Sequence, residues 1–145
     1  MQAHDNAVIV TGAGQGLGLA FAGRLAADGW PVVLTDILPG KAEEAARTLE
    51  GQGFRALGVT AEVCDPVAMG AVVEQTVARF GGVHGLVNNA SIFSSLKMRP
   101  FDDIPLEEWR RVIDVNLTGV FVCCGAVAPC LKAQGAGSIV NISSA

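Results

Sequence analysis

Tyrosine is absent from all 145 residues, so no phenol is at hand here for acid–base chemistry. Aromatic residues are scarce at 6 %, and 10 basic against 14 acidic side chains leave a net charge of only −4. That balance offers no basic footprint for nucleic acid or an anionic membrane surface. The four cysteines, Cys64, Cys123, Cys124 and Cys130, form no CxxC pair and read as reduced, small core residues. His4 and His84 have no acidic or thiol cluster beside them, so no metal site is expected. Long hydrophobic runs are missing too. The longest, residues 120–131, is interrupted by Gly125 and Pro129 and is too short to span a bilayer. Residues 1–6 lack the basic patch and apolar stretch of a signal peptide, which makes the cytoplasm the expected location. What the chain does have is 50 % hydrophobic residues and 18 glycines without a G-X-Y period. Disorder and collagen are thereby excluded, and the length suits one domain with a real core.

Two kinds of segment alternate. Residues 7–10, 32–34, 56–59, 86–87 and 138–142 are short and rich in Val, Ile or Leu, as expected of strands buried on both faces of a parallel sheet. Between them lie Ala- and Glu-rich stretches at 16–28, 41–52, 66–80 and 106–133 that predict helices. Gly29 closes the first as a C-cap would, and Asp65-Pro66 opens the third with an N-cap and a first-turn proline. Regular alternation predicts an α/β fold, a doubly wound parallel sheet with helices on both faces. Residues 91–105, with Pro100, Pro105 and Asp102-Asp103, read as a surface loop after the fourth strand.

Thr11-Gly12-Ala13-Gly14-Gln15-Gly16-Leu17-Gly18 directly follows the first strand and opens the first helix. A glycine turn lets backbone approach a pyrophosphate, and the helix N-terminus supplies free N–H groups and positive dipole. No Gly-Lys-Ser/Thr ending follows, which disfavours a Walker-type loop. Asp36 stands at the end of the second strand, 18 residues past Gly18. A carboxylate there accepts hydrogen bonds from ribose hydroxyls and repels a 2′-phosphate. No Arg or Lys lies within residues 35–40 and Gln15 is neutral, which favours NAD over NADP. Alone, the same residues also fit an ordinary tight turn and a loop aspartate.

Taken together with three later motifs, these residues resemble the short-chain dehydrogenase/reductase family. Glu62-Val63 is similar to an Asp-Val pair that contacts adenine. Asn88-Asn89-Ala90-Ser91 is similar to Asn-Asn-Ala-Gly, with Ser91 replacing the last glycine. Asn116, in Asp114-Val115-Asn116-Leu117-Thr118-Gly119, resembles the family's helix asparagine, and residues 138–144 resemble the strand that ends in the catalytic serine. The resemblance covers essentially the whole chain. It implies a Rossmann domain over residues 1–145, incomplete at its C-terminal side. Gly12, Gly14, Gln15, Gly16, Leu17, Gly18, Asp36, Ile37, Glu62, Val63, Asn89 and Ala90 would contact NAD. Ser144 would hydrogen-bond the substrate oxygen, and Asn116 would hold a water in a proton relay. Without the resemblance, Asn88 and Asn89 fit backbone-satisfying groups, Asn116 a buried structural hydrogen bond, and Ser143-Ser144 a turn.

The implied reaction is hydride transfer between nicotinamide and a small-molecule secondary alcohol or ketone. The family's acid/base tyrosine, in Tyr-x-x-x-Lys about a dozen residues past the serine, has no counterpart up to Ala145. This stretch alone is therefore expected to be inactive. The helix over 106–133, apolar around much of its circumference from Val115 onward, is expected to be buried on several sides and to join copies into a homo-oligomer. Ile92, Phe93, Leu96 and Met98 suggest an apolar wall for the substrate. Two other readings fit part of the pattern. A catalytically silent dinucleotide-binding module fits the missing tyrosine. A methyltransferase shares the glycine loop and the acidic strand end, but the Asn-Asn-Ala and Ile-Ser-Ser motifs argue against it.

Overall fold

The computed structural model describes residues 5–143. Five parallel strands form one sheet in the order β3-β2-β1-β4-β5. They are β1 (Ala7–Thr11), β2 (Val32–Asp36), β3 (Ala56–Thr60), β4 (Val83–Asn88) and β5 (Ser138–Asn141). The crossovers carry α1 (Gly16–Ala27), α2 (Lys41–Gly51), α3 (Pro66–Phe80), α4 (Leu106–Ile113) and α5 (Gly119–Gln134). The fold is the doubly wound Rossmann arrangement.

Alternation of side chains along each strand divides the core in two. Ile9, Val33 and Leu86 face the layer of α3 and α5, where Met69, Val72, Cys123 and Val127 complete one cluster. Val8, Val10, Val32 and Leu34 face α1 and α2, where Ala22, Ala26, Ala42, Ala46 and Leu49 complete the other. The alanines keep these helices close to the sheet. The third helix starts as expected. The Asp65 carboxylate accepts from the Val67 and Ala68 N–H groups at 2.8 and 3.3 Å, with Pro66 behind it. Asp65→Ala is expected to cost about 1 kcal/mol in denaturant unfolding, because two helix N–H groups lose their acceptor. Asp65→Asn, which keeps an accepting oxygen, should recover most of that loss.

The structure differs from these expectations at β4, at β5 and along the helix over 106–133. β4 is longer than residues 86–87, because His84 and Gly85 also lie in the strand. The His84 ring stacks on Trp30 at 4.6 Å, and a side chain on Gly85 would crowd the Ser138 carbonyl at 3.3 Å. β5 is not buried on both faces. Among the described residues it is the outermost strand, and all four of its residues are exposed.

The helix over 106–133 is not uniform. A π-turn, Asp114–Thr118, separates α4 from α5. Within this chain Val115, Gly119, Cys123 and Val127 form one buried stripe while Leu117 and Phe121 are exposed. The bilayer argument changes as well. The helical run Leu106–Gln134 continues through Gly125 and Pro129 and is 29 residues, long and apolar enough to cross a membrane. In this fold its buried stripe packs on α3 and β4.

The four cysteines are free thiols. Burial, with the neighbouring Cys124 and Cys64 thiols, pushes the Cys123 thiol up to about 12, so it stays protonated at neutral pH.

Candidate functional site

Leaving β1, the chain winds outward through β2 and β3, then returns to place β4 on the other side of β1. Adjacent crossovers therefore diverge at the C-terminal ends of β1 and β4, where a crevice opens. A cleft of about 750 Å³ occupies this position. Gly12, Gln15, Gly16, Leu17, Asp36, Ile37, Glu62, Val63, Asn89 and Ala90 all line it.

Gly14 and Gly18, expected at the cofactor, do not line the cleft. They shape the loop from behind. The Gly14 N–H donates to Asp36 Oδ2 at 3.0 Å, and a side chain there would overlap that carboxylate. Gly18 lies where α1 passes the loop. A side chain on it would meet the Gly12 carbonyl, Asn89 Nδ2 at 2.6 Å and Ala13 Cα at 2.9 Å. Gly12 itself has φ +61° and passes so close to Ala90 that a side chain would stand 2.8 Å from the Ala90 Cα.

Thr11 and Asn89 brace this loop. Thr11 Oγ1 accepts from the Asn89 and Ala90 N–H groups at 3.0 and 3.1 Å, and its hydroxyl donates to the Val87 carbonyl at 3.4 Å. Asn89 Nδ2 donates back to the Thr11 and Gly12 carbonyls at 3.0 and 3.1 Å. The glycine loop and the end of β4 are thus one hydrogen-bonded unit. At the far wall Asp36 is nearly buried, and its second oxygen accepts from the Leu38 N–H at 3.0 Å. Glu62 accepts from the Cys64 thiol at 3.3 Å. Burial, that hydrogen bond and the Glu62 charge all push the Cys64 thiol up.

The Asn116 amide is spent on the main chain of Ile92. Its Oδ1 accepts from the Ile92 N–H at 2.7 Å, and its Nδ2 donates to the Ile92 carbonyl at 3.0 Å. This side chain clamps the loop after β4 from within the π-turn and does not line the cleft. Asn88, with Nδ2 donating to Asn141 Oδ1 at 2.9 Å, ties β4 to β5. Ser144, the expected catalytic serine, lies outside the described residues. Phe93 and Met98 of the expected apolar wall are exposed, whereas Ile92 and Leu96 line a smaller neighbouring cavity. No group of three or more potential metal ligands occurs among the described residues.

Several cleft residues escaped the sequence reading. Leu38 and Ala61 carry no motif, and Val115 stands in one only as the neighbour of Asn116. Arg111 lies in no motif either, yet it supplies the only basic side chain in the cleft wall among the described residues. Thr11 stands in the glycine motif, but nothing in the pattern shows its double acceptor role.

Comparison with known proteins gives a consistent picture. The sequence model described as short chain dehydrogenase matches residues 6–145. The chain is 39 % identical over 140 residues to a cis-4-hydroxycyclohexanecarboxylate dehydrogenase of Sinomonas cyclohexanicum, covering 97 % of this chain and 55 % of that protein. It is 40 % identical over 136 residues to a 3-alpha-(or 20-beta)-hydroxysteroid dehydrogenase of Mycobacterium tuberculosis, covering 94 % and 50 %. Among solved structures, a gluconate 5-dehydrogenase from Burkholderia cenocepacia, in complex with NADP and tartrate, superposes with a TM-score of 0.87. Its sequence is 35 % identical, and the match covers 98 % of this chain and 55 % of that one. The chain thus spans about half the length of the relatives it matches.

Proposed function

Because this chain belongs to the short-chain dehydrogenase/reductase family, we propose that it binds NAD in the cleft and forms the cofactor-holding part of an oxidoreductase acting on a secondary alcohol or ketone. The cleft fits such a group. Its volume suits a bound small molecule. Its floor is bare backbone at Gly12 and Gly16, and the α1 N-terminus faces it with free N–H groups. Bound there, the nicotinamide supplies or accepts the hydride.

The protein's own part is positional. The glycine loop holds the pyrophosphate, Asp36 accepts from the adenosine ribose, and Glu62 and Val63 border the adenine. Asn89 and Ala90 bound the path toward the nicotinamide end. Asn116 keeps the Ile92 loop in place, and Ser144 donates to the substrate oxygen. The relatives named above act on cyclic, steroid and sugar-acid alcohols, which agrees with a secondary alcohol as the reacting group.

The observation that carries NAD is the Asp36 carboxylate, held by the Gly14 and Leu38 N–H groups in the cleft wall. A 2′-phosphate would meet this fixed negative charge. The Burkholderia relative holds NADP, and one local feature supports that second reading. Lys41, just beyond the 35–40 window, starts α2 with its Cβ 2.8 Å from where a Gly14 side chain would stand, beside Asp36. Titration of the whole protein with NADH and NADPH separates the two. NADH is expected to bind at least about tenfold tighter, through like-charge exclusion of the phosphate. Asp36→Ala should erase most of that preference. Tighter NADPH binding by the unaltered protein would overturn the NAD reading and point to Lys41.

A further inference from the structure

A second compartment of about 400 Å³ opens beside the main cleft, and the two share Ile92, Ser95 and Arg111. Its place follows from how the loop after β4 is tied down. Asn116, in the π-turn, holds the Ile92 main chain at 2.7 and 3.0 Å, and Glu108, on α4, holds Arg99 at 3.2 Å. The loop therefore runs back along the helix, pinned near both ends. Arg111 lies between the two pins on the helix, as Ser95 and Leu96 lie between them on the loop, and all three line the compartment.

The wall of the main cleft passes from Asn89 and Ala90 into the same loop, through Ser91, Ile92, Ser94 and Ser95. The compartment thus continues the cleft beyond the residues that bound the path toward the nicotinamide. Asp36 and Glu62, which line the main cleft, do not line it.

The charges are arranged unequally around this space. Glu108 is committed to Arg99. Glu107 borders the outer compartment alone, whereas Arg111 faces both spaces. Arg111 forms no ion pair among the described residues. At the junction of the two spaces the uncommitted charge is therefore a guanidinium, with Ser95 at the same junction. Ile92, Leu96, Pro105 and Val112 make the rest of the wall largely apolar.

Resting on the proposed hydride transfer, we infer that this compartment receives the far end of the substrate and that Arg111 sets its specificity, binding a substrate carboxylate with the Ser95 hydroxyl as a further donor. The substrate class is then a hydroxy acid and its keto acid. A guanidinium offers a carboxylate two parallel N–H bonds, which an ammonium cannot, and the apolar wall suits the carbon chain in between.

The test is reduction by the whole protein, with whichever of NADH or NADPH it binds, of 4-oxopentanoate, 5-oxohexanoate and 6-oxoheptanoate, each beside its methyl ester. For at least one length the acid is expected to show a KM at least about tenfold below that of its ester. Arg111→Ala should raise the KM of that acid about tenfold to hundredfold, the loss of a charge-assisted pair, with little change in kcat. Arg111→Lys should recover only part of the loss. An unchanged melting temperature in both variants shows that the fold persists. Esters reduced as well as acids at every length, an acid KM in Arg111→Ala within twofold of the unaltered protein, or full recovery by lysine would each overturn the inference. Dinucleotide binding without reduction of any of the three acids would overturn it too. If the unaltered protein bound neither NADH nor NADPH, the proposed function itself would fall, which is a different result.

Discussion

Gly18→Ala is expected to lower NADH affinity roughly a hundredfold, although Gly18 does not line the cleft. The added methyl would meet the Gly12 carbonyl, Asn89 Nδ2 at 2.6 Å and Ala13 Cα at 2.9 Å. Two of these atoms are backbone, and the third is anchored by hydrogen bonds to the Thr11 and Gly12 carbonyls. None can step aside cheaply, so α1 must tilt away from the loop. Overpacking of this kind costs about 1–3 kcal/mol, and the upper part of that range corresponds to the expected loss of affinity. The loss falls on binding because the displaced element is the helix whose first N–H groups serve the phosphates. Gly23→Ala is the control. It lies in the same helix with nothing nearer than Leu49 Cδ2 at 4.0 Å, so it should bind NADH as before. NADH binding by Gly18→Ala within threefold of the unaltered protein would sink this account.

The largest stability effect is expected from Thr11→Val. The change keeps shape and removes one oxygen. That oxygen is almost fully buried and accepts from both the Asn89 and Ala90 N–H groups. Two main-chain donors would lose their acceptor at once. Both N–H groups are only part-buried beside the cleft, so the cost is about 1–3 kcal/mol in all. Denaturant unfolding measures it directly, as a lower midpoint with an unchanged slope. Thr11→Ser restores the hydroxyl and should recover most of the loss. A valine variant as stable as the unaltered protein would show that Asn89 and Ala90 find other acceptors.

Much of the architecture is legible in the sequence for local reasons. Asp65-Pro66 and Gly81 mark both ends of α3, and the apolar strand segments are dense enough to imply a sheet covered on both sides. Legibility fails where the reason is not local. Gly85 lies in β4 because β5 passes close by, a fact 53 residues away in the chain. The glycine motif shows that side chains are excluded at Gly14 and Gly18. It does not show that one glycine makes way for Asp36 and the other for Asn89, so both read as phosphate contacts. Asn116 is recognisable as a residue that must find partners, but its partner is a loop 24 residues earlier. Arg111 and Lys41 carry no pattern at all, because what distinguishes them is the company the fold puts them in.

The strand order also sets how far along the chain each pairing must reach. Val8 faces Val32 on one side and Gly85 on the other. The first pairing closes a short loop and the second a loop about three times as long. Closure entropy grows with length, and contacts between distant parts of a chain form slowly. The β1-β2-β3 half, with α1 and α2 against it, has only short crossovers to close, whereas β4 must arrive from far along the chain. The cleft lies on the seam between these two halves, bridged by Thr11 and Asn89. A molecule bound across this seam ties the two halves together and is expected to raise the stability of the folded chain.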